Sequence, residues 1–120
     1  MLLKKKFYDI IESHKDGATG VYHVAILPEC SVYQGHFPGD PICPGVCNIE
    51  TIKECVCDLL GCDLRIQSIK QCRLTAIATP TVCPEVSITI NCTPKDEAFI
   101  IQATIADDKQ TYMEFKGTLA

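Results

Sequence analysis

His36 and Glu50 are the two side chains whose types and spacing could carry out proton transfer. His36 lies between Gly35 and Phe37-Pro38, in a loop where prolines restrict the backbone. An imidazole titrates near neutral pH, so it suits a general base. Glu50 follows fourteen positions later, on the second turn of a predicted helix. A buried carboxyl at that position would favour its neutral form, which can donate a proton.

The predicted helix start supplies a third component, a site for developing negative charge. Pro44 stands at the helix position where a missing N–H costs least, and Gly45 and Val46 follow it. Backbone N–H groups at the positive end of a helix dipole can hold an oxyanion. A base, an acid and an oxyanion site are the parts needed to remove water from a 3-hydroxy thioester. The base takes the proton beside the polarised carbonyl, and the acid protonates the departing hydroxyl.

The pattern of apolar residues predicts the elements that hold these groups. Apolar residues recur at 46, 49, 52, 56, 59 and 60, which predicts a helix of about sixteen residues ending at Gly61. The residues from His14 to Gly17 and from Pro94 to Asp96 are predicted turns. The order of elements predicts one α+β domain over residues 1–120, with an antiparallel sheet wrapped around a single helix. Alternating stretches predict strands at 4–13, 20–28, 63–78, 85–93, 97–106 and 110–119.

Composition and charge exclude several classes of protein. The net charge of −4 argues against a nucleic-acid partner. No apolar run approaches the ~20 residues that cross a bilayer, and the Met-Leu-Leu-Lys-Lys-Lys start lacks a signal-peptide pattern, so we expect a cytoplasmic protein without membrane association. The nine cysteines contain no Cys-x-x-Cys pair. They are interpreted as small hydrophobic residues in a reducing compartment, with no metal site.

Residues 35–46, Gly-His-Phe-Pro-Gly-Asp-Pro-Ile-Cys-Pro-Gly-Val, followed by Ile49-Glu50, resemble a family signature. It is the signature of the hotdog-fold 3-hydroxyacyl-[acyl-carrier-protein] dehydratases, the FabA/FabZ-like family. The resemblance implies conversion of 3-hydroxyacyl thioesters into trans-2-enoyl thioesters in fatty-acid or polyketide/polyene biosynthesis. It assigns His36 as the base at C2 and Glu50 as the group that assists loss of the hydroxyl. The N–H of Gly45 would bind the thioester oxygen.

The same resemblance implies how the site is assembled. The substrate is carried on the phosphopantetheine of an acyl carrier protein, and no metal or redox cofactor is used. Two sheets join edge to edge in a dimer, and each site takes its histidine from one chain and its acid from the other. Homodimers, trimers of dimers and heterodimers are all compatible with the sequence. Phe37, Pro38, Pro44 and Val46 would shape the loop and the acyl tunnel.

Glu54, the two other histidines and a set of basic residues are the remaining candidates. Glu54 stands where the family has an amide; it either repels Glu50 and raises the proton affinity of one carboxylate, or faces water. His14, in the predicted turn, and His23, on a strand, are expected to be structural or solvent-facing. Basic residues suited to an acidic carrier protein are Arg65, Lys70 and Arg73, together with Lys4 to Lys6.

Two other functions compete with the dehydratase. A hotdog thioesterase would release a free acid by activating water with an Asp or Glu near the helix. A non-catalytic subunit would bind the acyl chain or the carrier within a heterodimeric dehydratase. Release of a free thiol would identify the first, and activity only in complex with a homologous partner would identify the second.

Overall fold

The computed structural model describes residues 7–27, 45–76 and 84–120 of the chain. Within these residues the order of elements is two strands, one helix and four strands. This order confirms the α+β arrangement that the sequence predicts. The elements are β1 (Tyr8–Asp16), β2 (Thr19–Ile26), α1 (Gly45–Leu60), β3 (Ile66–Leu74), β4 (Glu85–Lys95), β5 (Ala98–Ala106) and β6 (Thr111–Leu119).

All six strands form one antiparallel sheet in the order β1-β2-β4-β5-β6-β3. Strands β4, β5 and β6 follow one another as a meander, whereas β3 crosses over to pair with β6 at the far edge. The helix packs on one face of this sheet, and its buried residues join the same apolar cluster as the strands. The arrangement is the hotdog fold that the resemblance implies.

Alternation along the strands places the core on the helix-facing side. Tyr22, Val24 and Ile26 are buried in β2, and Ile88, Ile90 and Cys92 are buried in β4, as their spacing predicts. The helix contributes Ile52, Cys55 and Val56 to the same cluster. Close approach of the helix to β2 occurs at Gly20, where a Cβ atom would lie 3.1 Å from the Leu59 side chain.

The first hairpin corrects one sequence prediction. His14, Lys15 and Asp16 were predicted to form a turn with Gly17, but β1 continues through Asp16 and Thr19 pairs with it. The reversal needs only Gly17 and Ala18, because Gly17 adopts a φ of 62° that suits glycine. Polar residues can extend an edge strand, since one of its edges faces solvent.

The second hairpin corrects another sequence prediction. Pro94 was predicted to break the chain, yet it lies within β4 and pairs with Phe99 of β5. The pairing of β4 with β2 ends at Asn91, so by Pro94 one side of β4 has no neighbour among the described strands. A proline without an N–H is tolerated there because no hydrogen bond is lost. The turn itself lies at Asp96 and Glu97, with Asp96 at a φ of 57°.

Candidate active site

The helix start has the predicted position. Gly45 is the first residue of α1, and Val46 follows in the first turn. The first N–H groups of a helix have no partner within it, so they are available to an oxyanion. Pro44 and the loop residues His36, Phe37 and Pro38 lie outside the described residues. Their roles, and the oxyanion role of Gly45, stay predictions.

Glu50 lies on the second turn of α1 and is partly exposed. Its side chain is 25% exposed, and its Oε1 accepts a hydrogen bond from the Lys53 ammonium at 3.1 Å. This contact raises the pKa of Lys53 above its ordinary value, so the ammonium remains charged. From the sequence, only a buried carboxyl at this position was expected to favour its neutral form. The structure instead gives Glu50 a charged partner one turn along its own helix.

Glu54 lies one turn further along the same side of α1. Its Oε1 accepts a hydrogen bond from the Tyr8 hydroxyl of β1 at 3.0 Å. Burial, reinforced by the nearby Cys55 and Glu54, raises the pKa of Tyr8. The sequence left Glu54 as either a neighbour that repels Glu50 or a solvent-facing residue. Its contact with Tyr8 belongs to neither reading, and its modulating role stays a prediction.

Asp58 completes the series on the last turn of α1. It accepts a hydrogen bond from the Tyr22 hydroxyl at 2.7 Å and forms an ion pair with Lys15 at 2.9 Å. Burial and this hydrogen bond raise the pKa of Tyr22. Sequence reasoning missed both tyrosine contacts. The available signal for Tyr22 was its place on the inward face of β2, since a buried phenol needs a polar partner.

A small cavity lies between the helix and the sheet. It is bordered by Tyr8 and Ile88 on the sheet and by Asn48 and Thr51 on the helix, and its volume is about 10 Å³. That is close to the minimum for a single water. As formed by the described residues, this cavity is too small for an acyl chain.

The three predicted carrier-docking residues lie in β3 and directly before it, and their docking role stays a prediction. Arg73 is paired with Glu114 at 3.8 Å. Arg65 is exposed, and its backbone bonds to that of Ala120. Lys70 lines an open groove of about 390 Å³ on the sheet together with Lys95 and Lys116. The latter two lysines were missed because they are distant from Lys70 in sequence.

Strand β3 forms one edge of the sheet and is exposed along most of its length. Within residues 7–27, 45–76 and 84–120 it pairs on one side only, with β6. All its residues except Ile66 are exposed, including Ile69 at 47% and Leu74 at 64%. An open edge that carries apolar side chains is suited to pairing with another strand.

Among the described residues, no helix is long and apolar enough to cross a bilayer.

Comparison with known proteins identifies the family. Residues 12–116 match the family profile described as ApeI-like, ApeI dehydratase. No curated protein matches the sequence. A similar solved structure is the dehydratase heterocomplex ApeI:P from Xenorhabdus doucetiae, with a TM-score of 0.75, 20% identity, and coverage of 92% of this chain and 96% of that one.

A second similar structure is an uncharacterized protein from Erwinia carotovora subsp. atroseptica. Its TM-score is 0.64 at 15% identity, with coverage of 92% of this chain and 94% of that one. At these identities the two structures support the fold alone. The family profile covers most of the sequence, including both His36 and Glu50. The chain therefore belongs to the ApeI-like dehydratases, a hotdog-fold family related to the FabA/FabZ type.

Proposed function

We propose that this protein dehydrates 3-hydroxyacyl thioesters, carried on an acyl carrier protein, to trans-2-enoyl thioesters. One observation carries the proposal: Glu50 lies one turn beyond the N-terminus of α1, and its side chain is partly exposed. A carboxyl there lies on the helix turn that follows the backbone N–H groups proposed to hold the thioester oxygen. The family profile spans this residue and His36.

The proposed reaction needs only groups of the protein. The His36 imidazole takes the proton from C2, and the Gly45 N–H stabilises the charge that develops on the thioester oxygen. Glu50 gives a proton to the C3 hydroxyl, which leaves as water. The proton on His36 then returns to Glu50 and restores both groups. During this cycle Glu50 exchanges its contact with Lys53 for one with the substrate hydroxyl. No metal or redox cofactor takes part.

We further propose that the active site is completed by a second hotdog chain, identical or homologous, paired along β3. The open edge of β3 and its exposed Ile69 and Leu74 support this pairing. The small volume of the cavity beneath α1 supports a tunnel for the acyl chain at the interface between subunits. A heterodimer is included because a similar solved structure is a dehydratase heterocomplex.

The pairing is tested with a matched set of charged variants. Replacement of Ile69 and Leu74 together by lysine on β3 should convert the dimer to monomers and abolish dehydration. Ile11→Lys changes an equally exposed apolar residue on β1, at 54% exposure, and should leave the dimer intact. Light scattering after gel filtration measures the mass. A dimer that survives the β3 changes would contradict this interface.

The groove lined by Lys70, Lys95 and Lys116 is the proposed contact for the acidic carrier protein. Replacing Lys70 and Lys116 by glutamate should raise KM for a carrier-linked substrate and leave KM for a small thioester unchanged. If KM for both substrates is the same in the variant as in the wild type, this groove is excluded.

We place the protein in the reducing cytoplasm. The exposed thiols of Cys62 and Cys72 fit this location.

The activity itself is tested with a 3-hydroxybutyryl thioester, by following the absorbance of the enoyl product. The wild type should form the enoyl thioester, whereas His36→Ala should not. Glu97→Gln removes a carboxylate in the turn after β4 and should retain full activity. The proposal fails if the wild type, alone and with a homologous partner, never exceeds His36→Ala on any carrier or acyl length.

A second candidate function is that of a non-catalytic subunit in a heterodimeric dehydratase. The contact between Glu50 and Lys53 favours it, because the carboxyl already has a partner on its own helix. The two functions differ in the complex with a homologous partner. If the complex stays fully active when this chain carries both His36→Ala and Glu50→Gln, the chain is the non-catalytic subunit.

A further inference from the structure

We infer that Glu12, His14 and His23 form a binding site for a divalent transition-metal ion of the zinc or nickel type. The three side chains lie on the outer face of the β1–β2 hairpin. The face opposite carries Tyr22 and Val24, which are buried in the core. The site is therefore separated from the helix and from Glu50 by the sheet itself. It is independent of the proposed dehydratase activity.

The ligand atoms are already close together. His14 Nε2 lies 3.0 Å from Glu12 Oε1, and one ligand atom of each of the three side chains lies within 4.8 Å of the other two. Metal–nitrogen and metal–oxygen bonds of about 2.0–2.2 Å place two ligands of one ion about 3 Å apart. The ligand atoms of His14 and Glu12 already have this separation. A ligand nitrogen of His23 would come equally close after small rotations of the three side chains, two of which are exposed.

A bulge in β1 creates this arrangement. Ile10 pairs with Val24, but the register shifts before Glu12, which pairs with His23. Without the extra residue Ile11 would oppose His23, and Glu12 would oppose Tyr22 on the core side. Bulges redirect side chains in this way and are enriched at functional positions. His14, two residues after Glu12 on the same strand, then shares its face.

The neighbours of the cluster favour a cation. Ser87 Oγ lies 2.9 Å from His23 Nδ1, which orients the ring and leaves Nε2 as the nitrogen that can bind a metal. The rings of His14 and His23 stand edge to face, with centroids 6.2 Å apart. Lys15 points to the other face, where it pairs with Asp58. The three ligands thus bring one negative charge, and no lysine of the described residues forms an ion pair with Glu12.

The ligand set selects the kind of ion. Two imidazoles and one carboxylate suit zinc, nickel, copper or ferrous iron, whereas calcium and magnesium prefer oxygen ligands alone. Three protein ligands leave at least one position for water. This site was not predicted from the sequence for two reasons. His14 was predicted to lie in a turn, and a metal site was expected to show closely spaced cysteines.

Nickel is the probe of choice because imidazole binds it well, while exposed thiols compete more strongly for zinc. Calorimetry on protein without a histidine tag should show about one Ni²⁺ bound per chain in the wild type. Glu12→Gln, His14→Gln and His23→Gln should each weaken binding at least about tenfold, and Ser87→Ala should weaken it less. Ni²⁺ should also raise the melting temperature of the wild type and not that of His14→Gln.

Matched controls separate this site from other ligands. Glu97→Gln makes the same change of charge outside the cluster, and the double variant Cys62→Ser, Cys72→Ser removes two exposed thiols. His36→Ala removes the remaining histidine of the sequence. All three should bind Ni²⁺ like the wild type. The inference is overturned if the wild type binds no Ni²⁺, if binding persists in a folded His14→Gln, His23→Gln double variant, or if a control variant loses it.

Discussion

Three carboxylates lie along one side of α1 at intervals of four residues, and their partners differ. Glu54 and Asp58 accept hydrogen bonds from Tyr8 and Tyr22, which belong to the sheet. Glu50 has a single partner among the described residues, Lys53 of its own helix. The C-terminal half of the helix is therefore tied to the sheet, whereas the carboxyl in the N-terminal half is not.

This difference agrees with the proposal that one helix combines a structural role with a role in the reaction. A carboxylate held by a buried phenol cannot leave it without exposing an unsatisfied hydroxyl, which costs free energy. Glu50 can exchange a partly exposed lysine for another partner at low cost, since such ion pairs contribute little. The anchored carboxylates hold the helix on the sheet, and Glu50 is the carboxyl that transfers a proton in the proposed reaction.

Glu50→Gln should have the largest effect, and only on activity. If Glu50 is the proposed acid, the rate of dehydration falls by about 10²–10⁴-fold. The free energy of unfolding should change by no more than about 0.5 kcal/mol, because the side chain is not tied to the sheet. Enoyl absorbance and urea unfolding measure the two quantities. A large loss of stability with full activity would show that Glu50 stabilises the fold and is not needed for the reaction.

Tyr8→Phe and Tyr22→Phe should have the opposite profile. Each removes a hydrogen bond to a carboxylate while it keeps the buried ring, and each should lower the free energy of unfolding by about 1–2 kcal/mol. Urea unfolding at neutral pH measures this loss. Tyr112→Phe, which removes a hydroxyl bonded to Asp107 at 2.6 Å in the β5–β6 turn, is the comparison for a phenol away from the helix. Unchanged stability in both helix-facing variants would show that the phenols do not anchor α1.

Alkaline pH should weaken the hydrogen bonds that Tyr8 and Tyr22 of the sheet donate to the helix carboxylates. The pKa values of Tyr8 and Tyr22 are raised above 10.0, mainly by burial, so folding favours the neutral phenols. Their contribution to stability is complete below about pH 10 and is lost as the pH rises above it. Urea unfolding between about pH 8 and pH 11 should show a steeper loss in the wild type than in the double Tyr→Phe variant. Thiol ionisation is common to both proteins, so parallel curves would contradict the prediction.

Lys53→Met should have the smallest effect. It removes one competitor for Glu50, so dehydration should rise by less than about tenfold. The free energy of unfolding should fall by less than about 1 kcal/mol, because the ion pair is partly exposed. Steady-state kinetics and urea unfolding test both. A loss of activity as large as that of Glu50→Gln would instead make Lys53 essential to the reaction.

Much of the fold could be read from local patterns. The alternation of Ile88, Ile90 and Cys92 predicted a strand with one buried face, and the spacing from Val46 to Leu60 predicted the helix. These periods depend on backbone geometry within a few residues, so they survive into the tertiary structure. Errors occurred at the turns, where His14 and Pro94 suggested breaks. There the pairing of neighbouring strands decided the ends, and pairing is not local.

The sequence by itself determined the elements, the family, and the position of Glu50 near the start of the helix. Only the tertiary structure decided the partners of the helix carboxylates, since Tyr8 and Glu54 are 46 positions apart and Tyr22 and Asp58 are 36 apart. It also decided that a bulge brings Glu12 opposite His23. Periodicity follows from the repeat of a single strand or helix. Partners depend on which elements pack together and in which register.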